Sequence, residues 1–274
     1  MFLRHDRAAW HVLLWSAIWV FLVCPTGSGQ EKTRSAPAID PGKLVDLSYA
    51  FDEKTIYWPN AEGFERHIDH WGPREDGRWY AAAHFSAAEH GGTHMDAPIH
   101  FAEGKRSVDQ IPVTQLVAPA VVIDISKKCT GHPDCLLQPA DVTAWESTHG
   151  RVPAGSIALV RTGWGKFWPD KKRYMGTDVK GDSAHLDFPG IGADAAKLLV
   201  TRGIVGVGID TASMDYGRSK DFPTHGVING ADLYGLENVA NLEELPATGA
   251  TLIALPMKIG GGTGAPTRIV AVLP

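Results

Sequence analysis

The stretch ADAAKLLVTRGIVGVGID, residues 193–210, reads as a helix, its stop and a strand in direct succession. Ala193 to Arg202 are mostly good helix formers, Gly203 suits a left-handed stop, and the β-branched run at 204–209 is strand-like. The same pairing recurs upstream, where a helix is predicted at 139–148, with Pro139 in its first turn, ahead of a strand at 156–161. Further strands are predicted at 44–49, 120–125, 251–255 and 268–273. Strands interleaved with helices indicate a mixed α/β fold. Hairpin-length spacings and 30 glycines argue against a purely doubly wound sheet.

The chain has 274 residues, 44% of them apolar, which suits one domain at 42–274 with an ordinary buried core. Its formal charge of −5, with no basic patch, excludes a nucleic-acid binder. Residues 1–29 differ in kind: Arg4 and Arg7 precede an apolar run at 8–24 and a small-residue stretch at 25–29. That is the pattern of a cleavable signal peptide, which implies a periplasmic or secreted protein with no membrane attachment after cleavage. A single transmembrane anchor is the rival reading, and lipid attachment at Cys24 is disfavoured by Val23 before it. Polar, proline-containing residues 30–41 read as a flexible lead-in. In an oxidising compartment Cys129 and Cys135 are expected to close a small disulfide loop, because a zinc knuckle with His132 would lack a fourth ligand. The aromatic, glycine-rich segment 164–189 reads as a long surface loop covering a site.

The segment HGGTHMDAPIH, residues 90–100, carries the chemistry. His90, His94, Asp96 and His100 stand at even spacings, so an extended chain would turn all of them to one side. Gly91, Gly92 and Pro98 disfavour a helix there. Imidazole nitrogen and carboxylate oxygen, with no thiol contributing, suit Zn²⁺ or Mn²⁺, with iron also open. Downstream, His225 is expected at a strand end or in a loop, and Glu237 in a short helix. Asp210 and Asp215 would either orient imidazoles or cap turns, and Thr93 would either support a ligand or fill a buried turn.

Here the sequence resembles the cyclase family of metal-dependent hydrolases, which includes bacterial kynurenine formamidases and isatin hydrolases, the latter branch looking nearest. The family signature H-x-G-T-H-x-D-x-P-x-H is matched at His90, Gly92, Thr93, His94, Asp96, Pro98 and His100. Its distal His, with a Glu twelve residues on, fits His225 and Glu237. Similar familial stretches run through 107–113, 161–165, 208–217 and 258–272. The resemblance implies a swivelling β/β/α fold with a mixed or barrel-like sheet, a homodimer or higher oligomer, and hydrolysis of an amide in or on an aromatic compound. It implies one or two divalent ions, Mn²⁺ or Zn²⁺, held by His90, His94, Asp96, His225 and Glu237. It further implies that His100 carries protons, with a ligand role as the rival. Of the aromatics Trp58, Trp79, Tyr80, Phe85, Trp164 and Trp168, Trp79 and Phe85 are singled out for substrate contact by nearness to His90 in sequence. Two other readings stay open at this stage: an Fe(II)-dependent oxygenase and a non-catalytic periplasmic metal-binding protein.

Overall fold

The run Ile157-Ala158-Leu159-Val160 is buried along its whole length because its two faces enter two different cores. Ile157 and Leu159 pack inside the sheet, whereas Ala158 and Val160 pack beneath helices on its outer face. A strand buried on both sides reads as an unbroken apolar run. This strand belongs to a computed structural model that describes residues 39–274. The expected signal peptide, Cys24 and residues 30–38 of the lead-in lie outside the described residues. Asp40 accepts a hydrogen bond from Gly42 N at 2.9 Å and caps a short turn at Pro41–Lys43, so the end of the stretch read as a lead-in is folded.

The strands are β1 (Leu44–Asp46), β2 (Glu65–Pro73), β3 (Trp79–Ser86), β4 (His94–Asp96), β5 (Val117–Asp124), β6 (Leu136–Leu137), β7 (Ile157–Arg161), β8 (Gly190–Ile191), β9 (Gly206–Ile209), β10 (Tyr234–Glu237), β11 (Thr251–Pro256) and β12 (Gly264–Val272). The helices are α1 (Val113–Leu116), α2 (Ser126–Cys129), α3 (Pro139–His149), α4 (Lys171–Met175), α5 (Ala193–Arg202) and α6 (Pro223–Gly230).

The main sheet runs β12-β11-β5-β7-β9-β10-β4 and closes by pairing β4 back to β12, with β1 added outside β12. β5, β7, β9 and β10 are parallel, and the remaining pairings are antiparallel. This is a single-domain mixed α/β fold with a barrel-like core, as the sequence led one to expect.

Helices α3 and α5 cover the parallel strands. Gln138 and Asp141 form a reciprocal cap on α3, Pro139 opens it, and Trp145 Nε1 donates to Val122 O at 2.8 Å. α5 has the predicted bounds and ends at Gly203, whose φ is +80°. Arg202 clasps Glu146 through both carboxylate oxygens, at 2.7 and 2.9 Å, and so ties the two helices together. Cys129 and Cys135 are disulfide-bonded, and Cys135 O then accepts from Gly190 N at 3.0 Å.

Several expectations change. The segment 164–189 is no simple loop: it contains α4 and buries Trp164, Tyr174 and Met175 in a third apolar cluster with Ile56 and Phe188. The last strand starts at Gly264, earlier than predicted, because it must reach β4. Among the described residues β2 and β3 pair only with each other, as a hairpin apart from the closed sheet.

If the inner face of β7 is a packed core, Leu159→Ala will lower the unfolding free energy by about 2–5 kcal/mol. A urea denaturation series measures this. A loss under about 0.5 kcal/mol would place Leu159 outside the core.

Candidate metal centre

β4, the strand that closes the sheet, contributes His94 and Asp96 on one face and Met95 on the other, where it joins the inner core. Glu237 lies directly across from His94 on β10, and Gly235 and Gly264 flank Asp96 from either side. His225 comes from the first turn of α6 and His90 from the approach to β4. The extended reading therefore holds only for 94–96. Gly92 takes a left-handed φ of +56°, and Pro98–His100 forms a tight turn, so the chain bends at both ends and convergence comes from these bends. His225 and Glu237 also differ from expectation. The first is helical because Pro223 opens α6, and the second ends a strand paired on both edges.

Three imidazoles each have one nitrogen tied outward and the other aimed at buried carboxylates. His94 Nδ1 donates to Gly92 O at 3.0 Å, and its Nε2 lies 3.2 Å from Asp96 and 3.4 Å from Glu237 with no hydrogen-bond partner. His225 Nδ1 donates to Asp215 at 2.7 Å, which leaves Nε2 at 3.1 Å from Asp96 and 3.2 Å from Glu237. His90 Nε2 donates to Thr263 Oγ1 at 2.9 Å, and Thr263 in turn donates to Glu89 at 2.6 Å, so His90 Nδ1 faces Asp96 at 2.7 Å. A hydrogen bond on one ring nitrogen fixes the tautomer that frees the other for a metal. The donor set thus fits a divalent ion. Donor atoms of His90, His94 and Asp96 lie within 4.8 Å of one another, as do those of Asp96, His100 and His225.

The electrostatics point the same way. Burial opposes protonation of His94, but the close carboxylates of Asp96 and Glu237 outweigh it and raise its pKa to about 9. Burial works against the Asp96 charge, yet His90, His225 and His94 hold its pKa well below the usual range. Burial and the Asp96 charge push Glu237 up. Buried carboxylates here call for positive charge beside them, whether from protons or from a cation that displaces the protons. His100 stacks on His90 at 3.8 Å between ring centroids, and burial, with the neighbouring imidazoles, lowers its pKa to about 4.

Over this cluster lies a cavity of about 280 Å³ whose apolar wall is Ile56, Tyr57, Trp58, Phe101, Ala212 and Phe222. Of the aromatics considered from sequence, only Trp58 reaches it. Trp79 and Phe85 do not line it: they stand 65% and 52% exposed on the β2–β3 hairpin, which carries them away from His90 despite their closeness in sequence. The segment 164–189 contributes no lining residue either. Asp215 orients an imidazole, whereas Asp210 caps the turn at Thr162 and Gly163. Thr93 bridges Tyr49 N and Asn238 O and fills a buried turn. The supports Glu89 and Thr263 were missed. Glu89 is adjacent to His90, but Thr263 is 174 residues from Glu89, and no local pattern joins them.

A closed α/β sheet whose sealing strand carries two donors of a buried imidazole–carboxylate cluster, under an aromatic cavity, defines a site for a divalent metal ion. The chain belongs to the cyclase family, whose model matches residues 45–216. It is 38% identical to an isatin hydrolase of Roseibium aggregatum over 207 residues, 73% of this chain and 77% of that one. It is 27% identical to a kynurenine formamidase of Salinibacter ruber over 234 residues, covering 83% of this chain and 96% of that one. A crystal structure of an isatin hydrolase bound to the product analogue thioisatinate matches with a TM-score of 0.78 at 34% identity, covering 85% of this chain and 94% of that one.

A Cβ at Gly264 would stand 2.5 Å from His90 Cε1 and 2.6 Å from Met95 O. Gly264→Ala is therefore expected to displace His90 and weaken divalent-ion affinity by tenfold or more, the scale seen when support of a ligand is lost. Competition with a metal-sensitive dye measures it. Unchanged affinity would show that His90 is no ligand.

Proposed function

We propose that this protein is an exported, metal-dependent amidohydrolase that opens a cyclic amide or cleaves an aryl amide, as its isatin hydrolase and kynurenine formamidase relatives are named for doing. The observation that carries this reading is the set of three imidazoles, each pinned on its outer nitrogen and turned inward on Asp96 and Glu237 at the floor of an aromatic cavity. His90, His94, Asp96, His225 and Glu237 would hold the divalent ion, Mn²⁺ or Zn²⁺, as one ion or two. Bound there, such an ion supplies a water acidified from a pKa of about 15.7 towards ~7 and a polarised amide carbonyl.

The chain's own groups do the rest. The cavity wall holds the aromatic ring and excludes bulk water. His100, kept neutral by burial, accepts the proton of the attacking water and delivers it to the departing nitrogen, so that a C–O bond forms as the C–N bond breaks. The disulfide and the signal-like residues 1–29 support a periplasmic or secreted location. A homodimer or higher oligomer is supported by Ile68, Trp71, Trp79, Tyr80 and Phe85, all exposed on a hairpin that has no other partner strand among the described residues. An Fe(II) oxygenase needs only two histidines and one carboxylate, fewer donors than are gathered here. A cavity over the cluster tells against a purely metal-storing protein.

The purified chain loaded with Mn²⁺ or Zn²⁺ will hydrolyse at least one of isatin and N-formylkynurenine, and a chelator will abolish turnover. Failure on a full panel of cyclic and aryl amides overturns the reading. His100→Ala will retain the metal while kcat falls by roughly 10²–10⁴. Loss of metal from that variant would make His100 a ligand instead.

A further inference from the structure

Cys129 and Cys135 stand six residues apart and are disulfide-bonded. Closing so short a loop removes little freedom from the unfolded chain, so by that route the bond stabilises the fold less than a long-range one would. What it holds in the folded state matters more. Cys129 ends α2, and Cys135 leads directly into β6. Cys135 O accepts from Gly190 N and Leu137 O from Gly192 N, both at 3.0 Å, so β8 hangs on the strand that the disulfide pins to α2. A second tie between α2 and β6, from Lys128 Nζ to Leu136 O at 3.0 Å, is exposed to water.

β8 in turn grips two segments of the metal centre. Ile191 N donates to Met214 O at 2.7 Å, and Met214 N donates to Glu237 at 2.8 Å. Ile191 O accepts from Thr224 Oγ1, the hydroxyl beside His225 in α6. Thr224 N donates to Asp215 at 2.9 Å, and Asp215 also accepts from His225 N at 3.1 Å and from His225 Nδ1 at 2.7 Å. Gly190 lies flat against the backbone of 215–216, where a Cβ would stand 2.3 Å from Tyr216 N. Cys129, Cys135, Leu137, Ile191 and Met214 share one buried apolar cluster. His225 and Glu237 therefore take their settings from a two-residue strand, and so short a pairing has little hold of its own.

We infer that the Cys129–Cys135 disulfide is a positioning element of the metal centre. By fixing β6 and β8 it sets Asp215 and Met214, and through them His225 and Glu237, so that the site takes a divalent ion tightly only once the bond has closed. This rests on the metal-centre reading above. Closure joins two thiols in one Sγ–Sγ bond, and their two protons and two electrons pass to a disulfide oxidant, which leaves as a dithiol. The chain thereby reports the redox state of its surroundings in its affinity for metal.

The test measures Mn²⁺ affinity by competition with a metal-sensitive dye, on full chains shown to be folded by circular dichroism. Wild type is compared with the double variant Cys129→Ala, Cys135→Ala, with Thr224→Val, which cuts the bond to Ile191 O, and with all three changes together. Disulfide loss and Thr224→Val should each weaken affinity about tenfold, and the combination by far less than about a hundredfold, because both release the same segment. Leu159→Ala, in the other core, should lose stability yet keep its affinity. A fall there in step with the cysteine variant would assign the effect to stability alone and overturn the inference. Wild-type affinity in the cysteine variant, or full additivity with Thr224→Val, would do the same. Where the cysteine variant does not fold, wild type reduced by a water-soluble phosphine takes its place. The phosphine becomes its oxide with oxygen from water, both sulfurs gain protons, and unchanged affinity after reduction overturns the inference. A wild type that binds no Mn²⁺ removes the metal-centre reading as well, whereas the variants, measured against a tight wild type, bear on the inference alone.

Discussion

The structure is organised around a carboxylate that has almost no access to water. Asp96 is 1% exposed and sits on β4, the strand that seals the sheet, so its charge must be met by neighbours the fold brings from elsewhere. His90 arrives from the preceding bend and His225 from α6, each setting a ring nitrogen beside one of its oxygens, at 2.7 and 3.1 Å. Gly235 and Gly264 stand opposite it, where side chains would strike Met214 and His90. Closure of the sheet and assembly of the cluster are one event: β4 cannot pair on both edges without bringing Asp96, His94 and Glu237 together.

Much of the fold was legible because its local signals agree with its tertiary demands. α5 could be bounded from sequence because its stop is a glycine that takes the left-handed conformation, and β7 because burial on both faces leaves no polar interruption. What failed were short elements whose identity is decided by partners. Glu237 closes a four-residue strand that exists because β4 and β9 flank it, and nothing in Tyr-Gly-Leu-Glu announces that. His225 is helical although Gly226 and Gly230 give its helix weak propensity of its own.

At the site the ligand-type residues were legible and their surroundings were not. Four donors crowded into eleven residues make a pattern whatever the backbone does, which is why the cluster survived a partly mistaken account of how the chain presents it. Thr263, which holds His90, sits between Gly262 and Gly264, where nothing in the local sequence marks it as the partner of a histidine 173 residues away. Aromatic residues misled because nearness along a chain and nearness in space part company at a hairpin: Trp79 leaves the site on β3 while Phe101 and Phe222, each beside a site histidine, form the wall.

The outward anchors of the three imidazoles are a backbone carbonyl, a hydroxyl backed by Glu89 and a carboxylate, drawn from segments far apart in sequence. The imidazoles are therefore held in place by the protein's own hydrogen bonds, and little ordering entropy would be lost when they take a cation. A receptacle of this kind, with nitrogen and oxygen donors and no thiolate, does little to refuse one first-row cation in favour of another. Which ion resides there then becomes a matter of supply, decided by the metal stocks of the compartment in which the chain completes its folding.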